Sequence, residues 1–387
     1  MTAPNIAVVF GTRPEAIKMF PLVHALKQHG GFQVSVVVTA QHRELLDKVL
    51  EIAEITPDYD LDLMSLDQGL ESRAATMLAE LGKVLAQCRP DRVLVHGDTL
   101  TTMMAAQASY FRKIPVAHVE AGLRSGNKYS PWPEEISRKV TGTIADLHFA
   151  PTERAASSLK REAVPTSSIL VTGNTAIDAL LHVREQTQQG KYNSELIAQI
   201  KQQASGKRTV LVTAHRRENH GKAMDGIIGA LKSLAETEDI EILFPVHPNP
   251  EIRNVVSQTL GKIPNISLLP PLAYPEFVQL IELCDLILTD SGGIQEEAPT
   301  FGKPVLIMRN ETERPEVLEV GAARLVGNSR QQIVRETKRL LHDTSLRTRM
   351  SRCPNPFGDG RASQRIVARL AEVHGVESLK RALTHVS

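Results

Sequence analysis

The chain contains 387 residues, of which 42% are hydrophobic and 23% are charged, and its formal net charge is +1. This length suits about two globular domains, and the balanced charge excludes the broad basic surface that binds nucleic acid or an acidic membrane. The three cysteines lack paired spacing, which argues against a disulfide framework or a structural zinc site. Because no apolar run approaches the ~18 residues of a membrane span and no basic leader begins the chain, we expect a cytoplasmic protein.

Short runs rich in Val and Ile alternate with helical patterns along the first half of the chain. This alternation is typical of a parallel sheet with helices on both faces. In chain order, the predicted strands of this half are NIAVVF, QVSVVVTA, RVLVHGD, IPVAHVE, LHFAPT and ILVTGN.

The second half repeats this organisation after a polar stretch at residues 184–194. Its predicted strands are TVLVTAH, EILFPVH, NISLLPPL, LCDLILTDSGG, KPVLIMRN and AARLVG. The pattern predicts two doubly wound α/β domains, with a boundary between residues 173 and 204. A last helical pattern begins at Ser363.

The first predicted strand runs through Gly11 and Thr12 into a helix that begins near Pro14, with Arg13 and Lys18 close to the turn. Such a turn aims backbone N–H groups and a helix N-terminus at the space above the sheet, which suits an anion. The turn lacks both the Gly-x-Gly-x-x-Gly fingerprint and the P-loop spacing. It therefore predicts phosphate binding without indicating NAD or ATP, and an ordinary βα connection is the alternative.

Three carboxylates are candidates for acid–base chemistry. Asp98 and Glu120 each follow a predicted strand, while Glu134 and Arg138 stand four residues apart in a helix whose first residue is predicted to be Pro133. The alternative for the latter two is a surface ion pair. Because parallel strands end at one edge, the carboxylates could converge there, in a cleft between the domains, and raise one another's pKa.

A second phosphate site is predicted where the Ser-Gly-Gly run at residues 291–293 follows a strand and a helix opens near Ile294. The free backbone of the glycines and the helix N-terminus favour diphosphate binding over a simple tight turn. Glu296 and Glu297 lie in the same helix. Each could complement the helix dipole or accept hydrogen bonds from ribose hydroxyls.

Histidine and aromatic side chains add weaker candidates. His215, with two arginines at residues 216–217, is a candidate acid or phosphate donor at a strand end, and His247 is a weaker one. Tyr274 and Phe277 belong either to the core or to the cover of a base.

Metal catalysis has little support in the sequence. No His-Glu-x-x-His occurs, and the Asp-Leu-Asp triplet at residues 60–62 resembles a glycosyltransferase metal motif in letters only. We expect that triplet to be a solvated loop. The Gln-His-Arg run at residues 41–43 could be a helix cap or a ligand contact.

Taken together, the motifs resemble those of the non-hydrolysing UDP-N-acetylglucosamine 2-epimerases over nearly the whole chain. The motifs that carry the resemblance are FGTRPEAIKM, VHGDT, HVEAGLRSG, SPWPEEISR, TAHRREN, TDSGGIQEEAP, GKPVLIMR, TERPE and NPFGDGRAS. The resemblance implies a GT-B fold of two Rossmann-like domains, at residues 1–173 plus 364–387 and at residues 174–363. It also implies UDP bound in the cleft, usually a homodimer, and neither a metal nor a nicotinamide cofactor.

The resemblance further assigns residues by motif. The implied catalytic residues are Asp98, Glu120, Glu134, Arg138 and His215. The implied UDP-binding residues are Arg13, Lys18, His247, Phe277, Ser291, Gly292, Gly293, Glu297 and Arg314. Some bacterial members bind a second UDP-GlcNAc as an activator, and the residues at matching positions are Gln41, Arg216 and His247.

The implied reaction is epimerisation of UDP-GlcNAc to UDP-ManNAc through loss and re-addition of UDP, with a 2-acetamidoglucal intermediate, as a supply for surface polysaccharide. The sequence leaves alternatives open. These are an epimerase of a related 2,3-diacetamido sugar, a hydrolysing relative that releases ManNAc, a GT-B glycosyltransferase with the same fold, and a non-catalytic nucleotide-sugar sensor.

Overall fold

The computed structural model describes residues 3–40, 43–63, 69–214, 222–247 and 249–377. The chain divides into two compact units. The first contains the chain up to Ala179 and takes it up again from Phe357, and the second is Leu180–Pro356. Within the described ranges no helix is long and apolar enough to cross a membrane.

Each unit contains one sheet of short strands. The strands of the first unit are β1 (Asn5–Phe10), β2 (Gln33–Val38), β3 (Tyr59–Asp60), β4 (Arg92–His96), β5 (Val116–Val119), β6 (Leu147–Ala150) and β7 (Ile169–Val171). The strands of the second unit are β8 (Arg208–Thr213), β9 (Ile240–Pro245), β10 (Ile266–Leu269), β11 (Leu286–Thr289), β12 (Val305–Ile307) and β13 (Ala323–Leu325).

The strand orders place the ligand edge of each sheet. The order is β3-β2-β1-β4-β5-β6-β7 in the first unit and β10-β9-β8-β11-β12-β13 in the second, and every described neighbour pairs in parallel. Ligands of open α/β sheets bind outside the carboxyl ends of the strands, where the order reverses. That position lies between β1 and β4 in the first unit and between β8 and β11 in the second.

Helices connect the strands. In chain order they are α1 (Arg13–His29), α2 (Arg43–Ile52), α3 (Leu70–Cys88), α4 (Leu100–Phe111), α5 (Glu134–Ile144), α6 (Glu153–Arg161), α7 (Thr175–Gln188), α8 (Glu195–Gln203), α9 (Lys222–Thr237), α10 (Pro250–Leu260), α11 (Tyr274–Leu283), α12 (Gly292–Glu297), α13 (Pro315–Glu319), α14 (Arg330–His342), α15 (Thr344–Ser351) and α16 (Ala362–His374). The last helix, α16, packs against α1 in the first unit.

The strands are apolar because helices cover the sheets. Every side chain from Ile6 to Phe10 in β1 is buried, and so is every side chain from Val210 to Val212 in β8. Burial of one such side chain contributes ~1.5–3 kcal/mol. The core therefore fixes the strands, and functional polar groups lie in the turns that follow them.

The predicted fold of two parallel-sheet α/β domains is confirmed, and all the predicted strands are present in the described part of the chain. The sequence missed β3, because a two-residue edge strand shows no periodic pattern. Pro133 was expected as the first residue of a helix. Instead it is the N-cap, and α5 begins at Glu134.

Candidate active site

The turn after β1 is built around a glycine that no other residue could replace. A Cβ atom on Gly11 would lie 2.1 Å from the Oγ1 atom of Thr39 and 2.4 Å from that of Thr101. The next residue, Thr12, is the N-cap of α1 and forms a capping box with Glu15. Close packing under the turn thus fixes where α1 begins.

Glu15 changes the expected role of this turn. Its Oε2 atom accepts the backbone N–H groups of Gly11 (3.0 Å) and Thr12 (2.8 Å). The expectation that these N–H groups point at an anion was therefore wrong, because a buried carboxylate of the same helix already occupies them. The N–H groups of Gly11 and Thr12 are therefore not available to a phosphate, and the side chains of Arg13 and Lys18 stay the predicted contacts.

Glu15 also joins two turns of the ligand edge. Its Oε1 atom accepts the hydroxyl groups of Thr99 (2.6 Å) and Thr102 (3.1 Å), which begin α4 directly after Asp98. The Glu15 side chain is only 2% exposed, and burial raises its pKa from the usual 4.5 while its hydrogen bonds with Thr99, Thr12 and Gly11 oppose that rise. Sequence reasoning missed Glu15, although the Thr-x-x-Glu spacing of a capping box was present.

The second turn carries Asp98 after Gly97, whose φ of +68° favours glycine. Asp98 forms an ion pair with Arg138 of α5, and Arg138 also lies 3.7 Å from Glu135. Arg138 and Asp98, both predicted site residues, are thus brought together.

Glu134 differs from the sequence-based picture. A surface pair with Arg138 was the alternative for this residue, but Arg138 contacts Asp98 and Glu135 instead. The Oε2 atom of Glu134 is buried and has no hydrogen-bond partner among the described residues. A carboxylate oxygen in this condition is unfavourable unless a substrate group or a proton completes it.

Glu120 follows β5 and has a left-handed backbone, with φ of +59°. Its Oε2 atom forms an ion pair with Lys18 and accepts a hydrogen bond from Asn174 Nδ2 at 2.8 Å. The Nε2 atom of His96 lies 3.7 Å from the same oxygen. A non-glycine residue in this strained region persists only when its surroundings hold it, and such residues cluster at functional sites.

Two buried histidines lie beneath these turns and were not singled out from the sequence. Burial lowers the pKa of His96 to about 4 and that of His118 to about 3, so both rings are neutral near pH 7. The neutral His118 ring contacts the carbonyl oxygen of Gly97 through Nε2 at 2.8 Å. It therefore supports the turn that presents Asp98.

The loop before α5 is held by a carboxylate that the sequence did not distinguish from its neighbour. Glu135 is fully buried and accepts the backbone N–H groups of Ser125 (3.0 Å) and Gly126 (3.2 Å). Glu134 and Glu135 are adjacent in sequence, but Glu135 fixes the loop while Glu134 keeps an unpaired oxygen.

In the second unit, the Ser-Gly-Gly run begins α12, with Ser291 as N-cap. A Cβ atom on Gly292 would lie 3.2 Å from the guanidinium carbon of Arg314. Arg314 Nε donates to the buried Glu296 at 2.8 Å, and Arg314 also pairs with Glu313 at 2.9 Å. The predicted glycine run and Arg314 are thus brought together. Because α12 has only six residues, the full charge of Arg314 outweighs any helix dipole.

The two glutamates of α12 have different roles. Glu296 holds Arg314, a role that the sequence did not distinguish, whereas Glu297 accepts a hydrogen bond from the Tyr274 hydroxyl at 3.3 Å. Tyr274 is buried, so it belongs to the core, and Phe277 on the same helix is half-buried.

Several predicted residues cannot be placed. Gln41, His215 and Arg216 lie outside the described residues, and their roles stay predictions. His247 is described and exposed, and its Nδ1 atom accepts the Asn249 N–H at 3.2 Å.

The Asp-Leu-Asp triplet forms ion pairs with Arg43, at 2.8 Å to Asp60 and 3.7 Å to Asp62. Both carboxylates are partly exposed, as expected, but Asp60 lies in the edge strand β3, so the expectation of a loop was wrong at this residue. Across the described ranges, no three His, Cys, Asp or Glu side chains are grouped to hold a metal ion.

Comparison with known proteins shows which family the chain resembles. The family model described as UDP-N-acetylglucosamine 2-epimerase matches residues 24–371. The UDP-N-acetylglucosamine 2-epimerase of Escherichia coli K12 is 52% identical over 368 residues, covering 95% of this chain and 98% of that protein. The Campylobacter jejuni UDP-N-acetylglucosamine 2-epimerase is 44% identical over 380 residues, covering 97% of this chain and 99% of the other.

Solved structures show the same likeness. The Neisseria meningitidis UDP-GlcNAc 2-epimerase bound to UDP-GlcNAc has a TM-score of 0.87 at 42% identity, with 95% of this chain and 100% of that chain covered. The co-structure of S. aureus MnaA with UDP has a TM-score of 0.87 at 44% identity, covering 96% and 97%.

Proposed function

This chain belongs to the UDP-N-acetylglucosamine 2-epimerase family of isomerases, and on that premise we propose that it interconverts UDP-GlcNAc and UDP-ManNAc by eliminating and re-adding UDP. The observation that carries the proposal is how the three predicted carboxylates of the first unit are paired. Asp98 and Glu120 are each paired with a cation, while Glu134 keeps a buried oxygen that has no partner in the described part of the chain. Such an oxygen is suited to meet a substrate proton.

The proposed chemistry follows from the position of the reacting carbon. Simple deprotonation at carbon 2 is difficult because no carbonyl adjoins that carbon. In the first step a carboxylate removes the carbon 2 proton, the C–H electrons form the C1=C2 double bond of 2-acetamidoglucal, and the C1–O bond to UDP breaks. In the second step a proton is added to the opposite face of carbon 2 and a UDP oxygen attacks carbon 1. Electrons balance within the substrate, so no oxidant or reductant is required.

Stabilising the charge on the UDP leaving group has to lower the barrier about as much as removing the carbon 2 proton does. One general base contributes 10²–10⁴-fold, roughly 3–5 kcal/mol, whereas enzymes commonly supply ~8 kcal/mol or more. The remainder has to come from charge stabilisation on UDP. We assign this role to Arg13 and Lys18 of the first unit and to Arg314 with the glycine run at residues 291–293 of the second.

The test is proton and phosphorus NMR of the purified protein with UDP-GlcNAc in D₂O, without added metal or NAD. Appearance of UDP-ManNAc with deuterium at carbon 2 is the expected result. Free ManNAc plus UDP would instead mean a hydrolysing enzyme. Unchanged and unlabelled UDP-GlcNAc would overturn the proposal, and a diacetamido UDP-sugar and a sugar acceptor would then be tried.

We propose a cytoplasmic homodimer whose product feeds surface polysaccharide, with a second UDP-GlcNAc bound near Gln41, Arg216 and His247 as activator. Light scattering should give twice the chain mass of 42.5 kDa. Initial rates with UDP-ManNAc as substrate should rise when a trace of UDP-GlcNAc is added. If the rate depends hyperbolically on UDP-ManNAc concentration and added UDP-GlcNAc does not change it, the proposed activator site would be ruled out.

A further inference from the structure

We propose that Asn174 is a positioning residue for Glu120, and that the chain segment returning at Phe357 holds Asn174 in place. The inference rests on the proposed function, because it concerns a carboxylate assigned to the epimerisation. Neither the sequence motifs nor the family likeness singled out Asn174.

Two hydrogen bonds of the Asn174 side chain determine which end of its amide is the oxygen. Its Oδ1 atom accepts the backbone N–H of Ala176 at 3.0 Å, so the other end of the amide must be the NH₂ group. That group donates to Glu120 Oε2 at 2.8 Å. Asn174 is only 2% exposed, so water does not compete for this bond.

The backbone of Asn174 is held by the returning segment of the same unit. Its N–H donates to the carbonyl oxygen of Phe357 at 2.6 Å. The preceding Gly173 has φ of +88°, and a Cβ atom there would lie 3.2 Å from the Cα atom of Gly358. Gly173 and Gly358 therefore allow the two chain segments to pack in direct contact. This contact fixes the position of the Asn174 backbone, from which its side-chain amide reaches Glu120.

Helix α7, which begins directly after Asn174, makes a second contact with the returning segment, and this contact does not involve Glu120. Asp178, one turn after Asn174 in α7, accepts the backbone N–H groups of Ala362 (3.2 Å) and Ser363 (2.7 Å) at the start of α16. Both residues are buried. Asp178 is thus a natural control, since it anchors the returning segment without touching the candidate base.

Asn174 is chemically suited to position a proton-transferring carboxylate. Described ionisable groups near Glu120 include Lys18 from α1, which pairs with Oε2, and His96 from β4, whose Nε2 atom lies 3.7 Å from the same oxygen. Lys18 supplies charge, but its flexible stem does not fix a direction. An amide donor fixes the carboxylate direction and neither gains nor loses a proton itself.

The decisive variant is Asn174→Asp, which is nearly isosteric and places a second carboxylate about 2.8 Å from Glu120 Oε2. Two carboxylates at this distance titrate as a pair, and one apparent pKa rises. We expect one limb of the kcat against pH profile to move upward by at least about one unit, with the other limb unchanged. An unshifted profile in a folded Asn174→Asp protein would overturn the inference.

Asn174→Ala and Asp178→Asn keep the test decisive if Asn174→Asp does not fold. Asn174→Ala should lower kcat about 10- to 100-fold and change KM for UDP-GlcNAc less than about threefold, because it removes a hydrogen bond to a charged group. Asp178→Asn should lower Tm while leaving kcat within about twofold. If both variants lose stability and both keep kcat, Asn174 is only structural.

Glu120→Gln separates this inference from the proposed function. Retained turnover in Glu120→Gln would remove Glu120 from the reaction, and the proposed assignment would fail with it. Loss of turnover in Glu120→Gln together with wild-type kcat in Asn174→Ala would instead leave the reaction intact and refute only the positioning role.

Discussion

Substitution Glu15→Gln tests whether one buried carboxylate holds the two turns of the first unit together. The carboxylate accepts four hydrogen bonds, two on each oxygen. An amide keeps one accepting oxygen and turns an NH₂ group toward the other pair of donors. Two of the four hydrogen bonds are lost, and each buried donor left without an acceptor costs about 1–3 kcal/mol. We expect a net loss of about 2 kcal/mol or more.

Urea unfolding followed by tryptophan fluorescence measures this loss of stability in the first unit, which contains Glu15. Trp132 is the one tryptophan of the sequence and lies in the first unit, between β5 and α5. With an m-value of about 2–3 kcal/mol/M, the urea midpoint of Glu15→Gln should fall by roughly 1 M. The matched control is Glu276→Gln in the second unit, where the Oε2 atom of Glu276 accepts the backbone N–H of Ala273, the N-cap of α11. A Glu15→Gln midpoint equal to that of wild type would refute the reasoning.

The pH dependence gives a second test of Glu15. Burial raises its pKa above 4.5 in the folded protein, so the folded state binds the proton more tightly than the unfolded chain does. The stability that protonated Glu15 adds is therefore complete below pH 4.5 and is lost as pH rises through the folded pKa. Glu15→Gln cannot titrate, so the stability advantage of wild type over the variant should be greatest at low pH and shrink above pH 4.5.

Three further predictions concern single residues. Arg13→Ala should reduce turnover about as severely as Glu134→Gln, in the NMR assay, because leaving-group charge carries much of the barrier; near-wild-type turnover would remove Arg13 from the site. Glu134→Gln should lower kcat at least ~100-fold but leave the free energy of unfolding within about 0.5 kcal/mol, since its Oε2 atom has no partner to lose among the described residues. A large loss of stability would show that Glu134 is structural. Burial lowers the pKa of His96 to about 4, so between pH 6.5 and 4 this ring takes up a proton in the unfolded chain but stays neutral in the folded protein. The free energy of unfolding of the wild type should therefore fall by up to about 1.4 kcal/mol per pH unit as the pH drops through this window. His96→Asn should fall less steeply over that window in urea titrations at pH 7 and pH 5, and equal slopes would contradict the neutral buried ring.

The sequence predicted strands and strand ends well because both depend on short-range pattern. Continuous apolar runs such as β1 and β8 can only be buried strands in an α/β protein, and the polar residues that follow them have to lie at the carboxyl edge. Asp98, Glu120 and the glycine run at residues 291–293 were found in this way.

The pairing of side chains could not be predicted, because it depends on packing between elements distant in sequence. Glu134 and Glu135 look alike in sequence, yet their neighbours in space give them opposite roles. The Gly11 turn has the letters of an anion site, but Glu15 occupies its N–H groups. Asn174 reaches Glu120 across 54 positions, and no local spacing signals such a contact.

The discontinuity of the first unit bears on how the protein is synthesised. The ribosome completes the sheet of this unit early, but Phe357, which binds Asn174, and the start of α16, which binds Asp178, emerge only after Leu180–Pro356 has been translated. At ~5–20 residues per second, that interval lasts roughly 10 to 40 s. Throughout it the nascent first unit lacks α16 and exposes the face of α1 that this helix covers. The second unit can fold as a continuous segment while the first waits, so the N-terminal half of the chain is the later one to mature and the natural client for a chaperone.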